Sequence, residues 1–201
     1  MTDGARVVSR STFLMGTDYT TADDIYRGVS EILVSGEGSS LELMGALTMR
    51  EYGTKRITVE NGGRLSVADR IRTYADNAQI HALDIVVRNG GILEFGNISF
   101  NDHDSTRTYP GQGNSSFTVD GGITRALNSF TGKTGNASEI FHPVTIGPGG
   151  WIFDTQNFNV IWTRKINYGT GTFTKIGSGF FEFNWVPAFP GKIDIAEGIS
   201  K

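Results

Sequence analysis

Glycine-rich turns recur along this chain at an almost constant interval, and that periodicity restricts its fold more than any other feature of the 201 residues. Four stretches superimpose: ITVENGGRLSV (57–67), IVVRNGGILEF (85–95), FTVDGGITRAL (117–127) and VTIGPGGWIFD (144–154). Each reads as a short strand, a tight turn and a second strand. Ile57 and Val59 share one face before the first turn, and Leu65 and Val67 share it after. Two weaker copies, ILVSGEGSSLEL (32–43) and FTKIGSGFFEF (173–183), extend the series. With Ser39, Gly63, Gly91, Gly122, Gly150 and Gly179 as markers, the intervals are 24, 28, 31, 28 and 29 residues. Such a period is the length of one supersecondary unit.

Two architectures give a strand-turn-strand unit at this spacing. In a sandwich the strands flanking each turn pair with each other as hairpins. In a β-solenoid the glycines turn a corner, and each strand pairs with its equivalent in the next coil. The solenoid is favoured because Leu65, Leu93, Ile152 and Phe181 each lie two residues beyond their marker, as a stacked interior row requires. Together with Val67 and Phe95 they are expected to point inward. The copy at Phe117 is one residue short before its turn, which places its apolar positions out of that register.

The expected fold is a single all-β domain, a single-stranded right-handed parallel β-solenoid of about six coils over residues 32–201. Residues 1–31 form a cap or arm, and TTADDIYRGVSEI (20–32) offers Thr21 as the N-cap of a short capping helix. The segment 101–116 is too polar for a core and reads as a loop off the coil. With 27 glycines, 5 prolines and no cysteine, the chain has no disulfide, thiolate metal site or cysteine nucleophile. A net charge of −3 without like-charge runs excludes a polyanion-binding face, so nucleic acid is not an expected partner. No apolar run approaches the roughly 20 residues of a membrane helix, so no membrane insertion is expected, and the N-terminus reads as free of an export signal.

Residues 149–201 resemble the β-strand repeat associated with autotransporter passengers, the right-handed β-helical segments displayed on Gram-negative bacteria. The likeness is carried by Gly149, Gly150 and Asp154, then Asn157 and Asn159, then Gly169, Gly171, Lys175, Gly177 and Gly179, and finally Phe181, Phe183, Phe189, Gly191, Ile193, Ile195 and Gly198. Trp185 and Pro187 stand where the family has glycine and asparagine. The resemblance implies a β-helix. It implies no particular activity, since such passengers include adhesins, self-associating proteins and hydrolases.

Chemistry-bearing residues are sparse. His81, His103 and His142 are scattered, whereas a metal site needs converging ligands. Asn101-Asp102-His103-Asp104 is the densest cluster, and Asp102 and Asp104 are weak metal-site candidates; the plainer reading is a solvated loop closed by Asx turns. Asp76, Asp84, Glu94 and Asp154 are further carboxylates that a polysaccharide-cleaving β-helix would place across a groove. No cofactor motif is present. Aromatic residues crowd the last third, and Trp151, Trp162, Phe180, Trp185 and Phe189 are candidates for stacking on sugars or filling an interface. Neighbours Phe180 and Phe181 must face opposite ways in a strand.

The expected function is a non-enzymatic structural or attachment element outside a cell, an adhesin or scaffold segment of an autotransporter passenger at the bacterial surface. A phage virion protein (decoration, head fibre or tail spike component) is the alternative, which the start at Met1 favours, and a polysaccharide depolymerase is the second alternative. Expected partners are further copies or neighbouring subunits at the C-terminal end, and a surface glycan or protein receptor.

Overall fold

The computed structural model describes residues 4–15, 29–50, 54–74, 82–99, 116–131, 144–162, 166–167, 169–183 and 191–200. These contain strands and turns with no helix. Every ladder between strands is parallel, and strands flanking a glycine corner pair with their equivalents one coil away. The chain is a β-solenoid.

Its longest sheet stacks β1 (Arg6–Ser9), β4 (Ser40–Leu43), β7 (Arg64–Tyr74), β9 (Ile92–Ser99), β11 (Gly122–Ala126), β14 (Trp151–Asp154), β17 (Phe173–Ile176) and β19 (Ile193–Ile195). β2 (Phe13–Met15) and β5 (Leu47–Arg50) join it along the far end of β7, beyond a register shift between Val67 and Arg70. The second sheet stacks β3 (Val29–Ser35), β6 (Thr54–Glu60), β8 (Ala82–Arg88), β10 (Ser116–Asp120), β13 (Val144–Ile146) and β16 (Ile166–Asn167). The third stacks β12 (Phe130–Thr131), β15 (Val160–Trp162), β18 (Phe180–Phe183) and β20 (Ile199–Ser200). Among the described residues, three turns carry a strand on all three faces: β10 to β12, β13 to β15 and β16 to β18. The expected six coils is corrected to about three complete turns flanked by partial levels. Among the described residues the stack begins at Arg6, inside the segment read from sequence as a cap; residues 20–28 of the stretch expected to hold the capping helix lie outside the described residues, as do 101–115 of the polar loop, while its last residues, 29–32, belong to strand β3 and not to a helix.

The glycine corners join the second sheet to the first, and the paired glycines do two different jobs. Gly62, Gly90, Gly121 and Gly150 have φ between 71° and 83°, the left-handed region that side chains resist. The following Gly63, Gly91 and Gly122 lack a Cβ because it would lie 2.2–2.5 Å from a carbonyl oxygen of the preceding coil.

Register along the long sheet builds an interior row of Leu41, Leu65, Leu93, Thr124, Phe153 and Lys175. Leu65, Val67, Leu93, Phe95 and Phe181 are buried, as expected. Ile152 is a correction. Gly150, not Gly149, has the positive φ of Gly62, so Trp151 occupies the place of Gly122, and Trp151 and Phe153 point inward while Ile152 is half-exposed. The short copy at Phe117 loses its missing residue inside the turn. Phe117 and Val119 stay aligned with Ile85 and Val87. The copy at 173–183 turns a different corner, from the first sheet into the third, so Phe181 stacks on Val160 rather than in the Leu93 row.

The interior changes character along its length. Valine, leucine, isoleucine and methionine predominate in the early levels, and the large rings of Trp151, Phe153, Trp162, Phe173 and Phe181 are concentrated in the late ones. Most of these rings meet edge-on or tilted at 4.6–5.9 Å, for example Phe153 on Phe181 and Trp151 on Phe173, while Trp162 and Phe181 stack at 6.4 Å. The Trp151 indole N–H donates to Thr124 Oγ1 at 2.7 Å, which explains a threonine in an apolar row. Lys175 is buried, and its ammonium donates to the carbonyl oxygens of Gly177 (2.5 Å) and Glu197 (2.8 Å) and to Thr155 Oγ1 (3.1 Å). Burial pushes its pKa down, against the opposing charges of Glu197 and Asp154.

Candidate functional site

The outer face of the long sheet carries a chain of alternating charges. Glu42, Ser66, Glu94, Arg125 and Asp154 occupy one row, and Arg6 and Arg64 reach into it from the neighbouring row. Arg6 meets Glu42 at 2.8 Å, and Arg64 bridges Glu42 (3.2 Å) and Glu94 (2.6 Å). Arg125 then bridges Glu94 and Asp154, both at 2.8 Å. Parallel strands spaced about 4.8 Å apart bring like positions together, so alternating sign is needed to avoid repulsion down the row. Glu94 is 2% exposed although it faces outward, because two guanidinium groups cover it.

Burial by itself would raise the Glu94 pKa. Hydrogen bonding and charge from Arg64, with help from Ser66 and Arg125, more than reverse that and hold it below the usual carboxylate range. A carboxylate so held is a poor proton donor. Its depressed folded value also makes it a source of stability that is present above the unfolded pKa and lost as pH falls through the folded one. The urea midpoint is therefore expected to drop between about pH 7 and about pH 3, and Glu94→Gln should remove part of that drop; equal pH dependence in both proteins would show that the row does not act on folding.

A groove of about 400 Å³ lies over the third sheet, lined by Ser129, Phe130, Thr131, Asn159, Ile161 and Phe180. Two outward rows form it. Residues 129, 159 and 180 precede the paired positions Phe130, Val160 and Phe181, and Thr131 pairs with Ile161. Side chains continue the ladder at this corner: the Asn159 N–H donates to Ser129 Oγ at 2.9 Å, and the Phe180 N–H donates to Asn159 Oδ1 at 3.3 Å. The floor is apolar, from Ile161 and the half-buried Phe180, and the lip carries hydroxyl and amide groups. An aromatic face beside such groups suits a sugar ring.

Of the candidates read from sequence, Phe180 stands in this groove. Trp151 and Trp162 do not serve a surface: both are buried in the core, Trp151 because the one-residue offset at Gly150 turns it inward, and Trp162 because it shares the inward face of its strand with Val160, which is level with the buried Phe130 and Phe181. Trp185, Phe189, Asp76, Asp102, Asp104 and the three histidines lie outside the described residues. Glu94 and Asp154 share Arg125, while Asp84 stands on the second sheet with Ser116 at 3.1 Å and Arg56 at 3.9 Å. Among the described residues no three His, Cys, Asp or Glu side chains converge. Sequence reading missed Ser129, Thr131, Asn159 and Ile161, although the alternation of NVIW (159–162) beside FFEF (180–183) was a usable signal. No family model, curated protein or solved structure matches this chain.

Proposed function

We propose that this solenoid is a non-enzymatic attachment and scaffolding rod working outside a cell, in the manner of an autotransporter passenger or a virion surface component. The observation that carries the reading is the engagement of the carboxylates on the long sheet: Glu42, Glu94 and Asp154 are paired along the rod with arginines. Charge there serves the stack. The groove at Phe180 supplies the attachment face, and a surface glycan is its occupant. The resemblance of residues 149–201 to the passenger repeat supports the first setting.

A panel of acidic and neutral polysaccharides tests the reading. Retention of a polymer without release of reducing ends or unsaturated products is expected, and Phe180→Ala should weaken retention about three- to tenfold, the size of one lost aromatic face. Turnover that disappears in Asp102→Asn or Asp104→Asn would make the protein a depolymerase instead.

A further inference from the structure

The two ends of the long sheet are the open edges of β1 and β19, each paired on one side only among the described residues. Two neighbouring rows of the sheet begin on β1 and finish on β19. The outward row that starts at Arg6 runs through Ser40, Arg64, Ile92, Ile123, Ile152 and Thr174 to Asp194. The neighbouring inward row, built on Leu65 and Leu93, starts at Val7 and finishes at Ile195.

The ends of these rows are chemically matched. A basic residue opens the outward row and an acidic one closes it. The inward row is apolar at both ends, yet Val7 is 48% and Ile195 47% exposed, whereas Leu65 and Leu93 within it are fully buried. One position further, the exposed Val8 stands level with Ala196, and one position earlier Ala5 stands level with Ile193, itself 42% exposed. Continuing the sheet by one strand spacing therefore sets Ile193 against Ala5, Asp194 against Arg6, Ile195 against Val7 and Ala196 against Val8. The two charges have capacity to spare. Arg6 donates to Glu42 through Nε and Nη2, leaving Nη1, and Asp194 accepts from Lys192 through Oδ2, leaving Oδ1.

We infer that the partner of this surface is a second copy of the chain, stacked head to tail so that β19 of one copy pairs in parallel with β1 of the next in the register Asp194 to Arg6. An open parallel edge recruits a strand of matching pattern. The contact joins two different surfaces related by translation along the rod, so it does not close and builds a filament. The inference deepens the scaffold reading and rests on it, but polysaccharide retention and assembly are measured separately, so either fails without the other.

Sedimentation velocity on the 201-residue chain over a range of concentrations is the test. Growing species are expected, with rods in negative-stain images. Arg6→Glu and Asp194→Arg should each weaken association about tenfold or more, because each sets like charges face to face. An equimolar mixture of the two variants should restore it, since every junction then pairs opposite charges; that rescue also shows that both variants fold. As a second readout, Val8→Cys with Ala196→Cys in this cysteine-free chain should give a ladder of covalent oligomers on oxidation. A monomer at all concentrations, association indifferent to both charge reversals, or covalent dimers from Ala196→Cys alone as abundant as the ladder would overturn the head-to-tail register.

Discussion

Leu93→Asp is expected to destabilise the solenoid by about 4 kcal/mol or more, combining lost apolar burial with an unpaired charge in the core. Leu93 is fully buried, between Leu65 and Thr124 in the interior row. Neither offers a cation. Ile92, one residue earlier, is half-exposed on the outer face, and Ile92→Asp should cost under about 1 kcal/mol. Urea unfolding followed by far-UV circular dichroism reads the difference. Equal losses for the two variants would mean that the alternation of inward and outward faces has been misplaced.

The second large effect comes from a single methyl group. Gly91→Ala would put a Cβ 2.2 Å from the carbonyl oxygen of Val59 and 2.5 Å from its carbon, and both atoms belong to the backbone of the preceding coil. Neither can rotate away. Relief requires separating two coils that are hydrogen-bonded on both sides of the corner, and a loss of about 3 kcal/mol is expected, the upper range for overpacking. At the adjacent Gly90 the nearest atom to an added Cβ is 3.9 Å away, so Gly90→Ala meets only the strain of φ +74°. That costs about 1–2 kcal/mol. Thermal unfolding of the two variants orders them, and a larger loss at Gly90 would assign the corner to backbone conformation rather than to coil contact.

These two substitutions mark what was legible in the sequence. The corner glycines packed against the previous coil recur at Gly63, Gly91 and Gly122 and show as a period, although Ser39 and Trp151 take that place at the corners before and after. Alternation on either side shows as well. The assignment failed where two different glycine patterns look alike as letters. Gly149-Gly150 resembles Gly62-Gly63, but only its second member has the left-handed conformation, and Ile152 was turned inward by one position as a result. Gly177 and Gly179 belong to another corner altogether. The arginine and carboxylate row was less accessible still. Its members lie 22 to 36 residues apart, and only the ladder register reveals that Arg125 stands between Glu94 and Asp154. The groove at Phe180 was hidden likewise, since residues 129, 159 and 180 become neighbours only through stacking.

The aromatic filling of the late levels has a consequence for how the molecule is observed. Its three tryptophans are Trp151, Trp162 and Trp185, so none precedes residue 151. Two of them sit in the packed interior of the last levels. A solenoid in which each coil touches chiefly its neighbours need not melt as one unit. Indole emission therefore works as a local gauge confined to the C-terminal portion, while circular dichroism averages over every strand. Transitions that coincide by the two optical signals mean that the whole rod shares one cooperative unit; transitions that separate mean that the ring-filled end and the aliphatic end come apart in sequence, and their order gives the direction of unwinding.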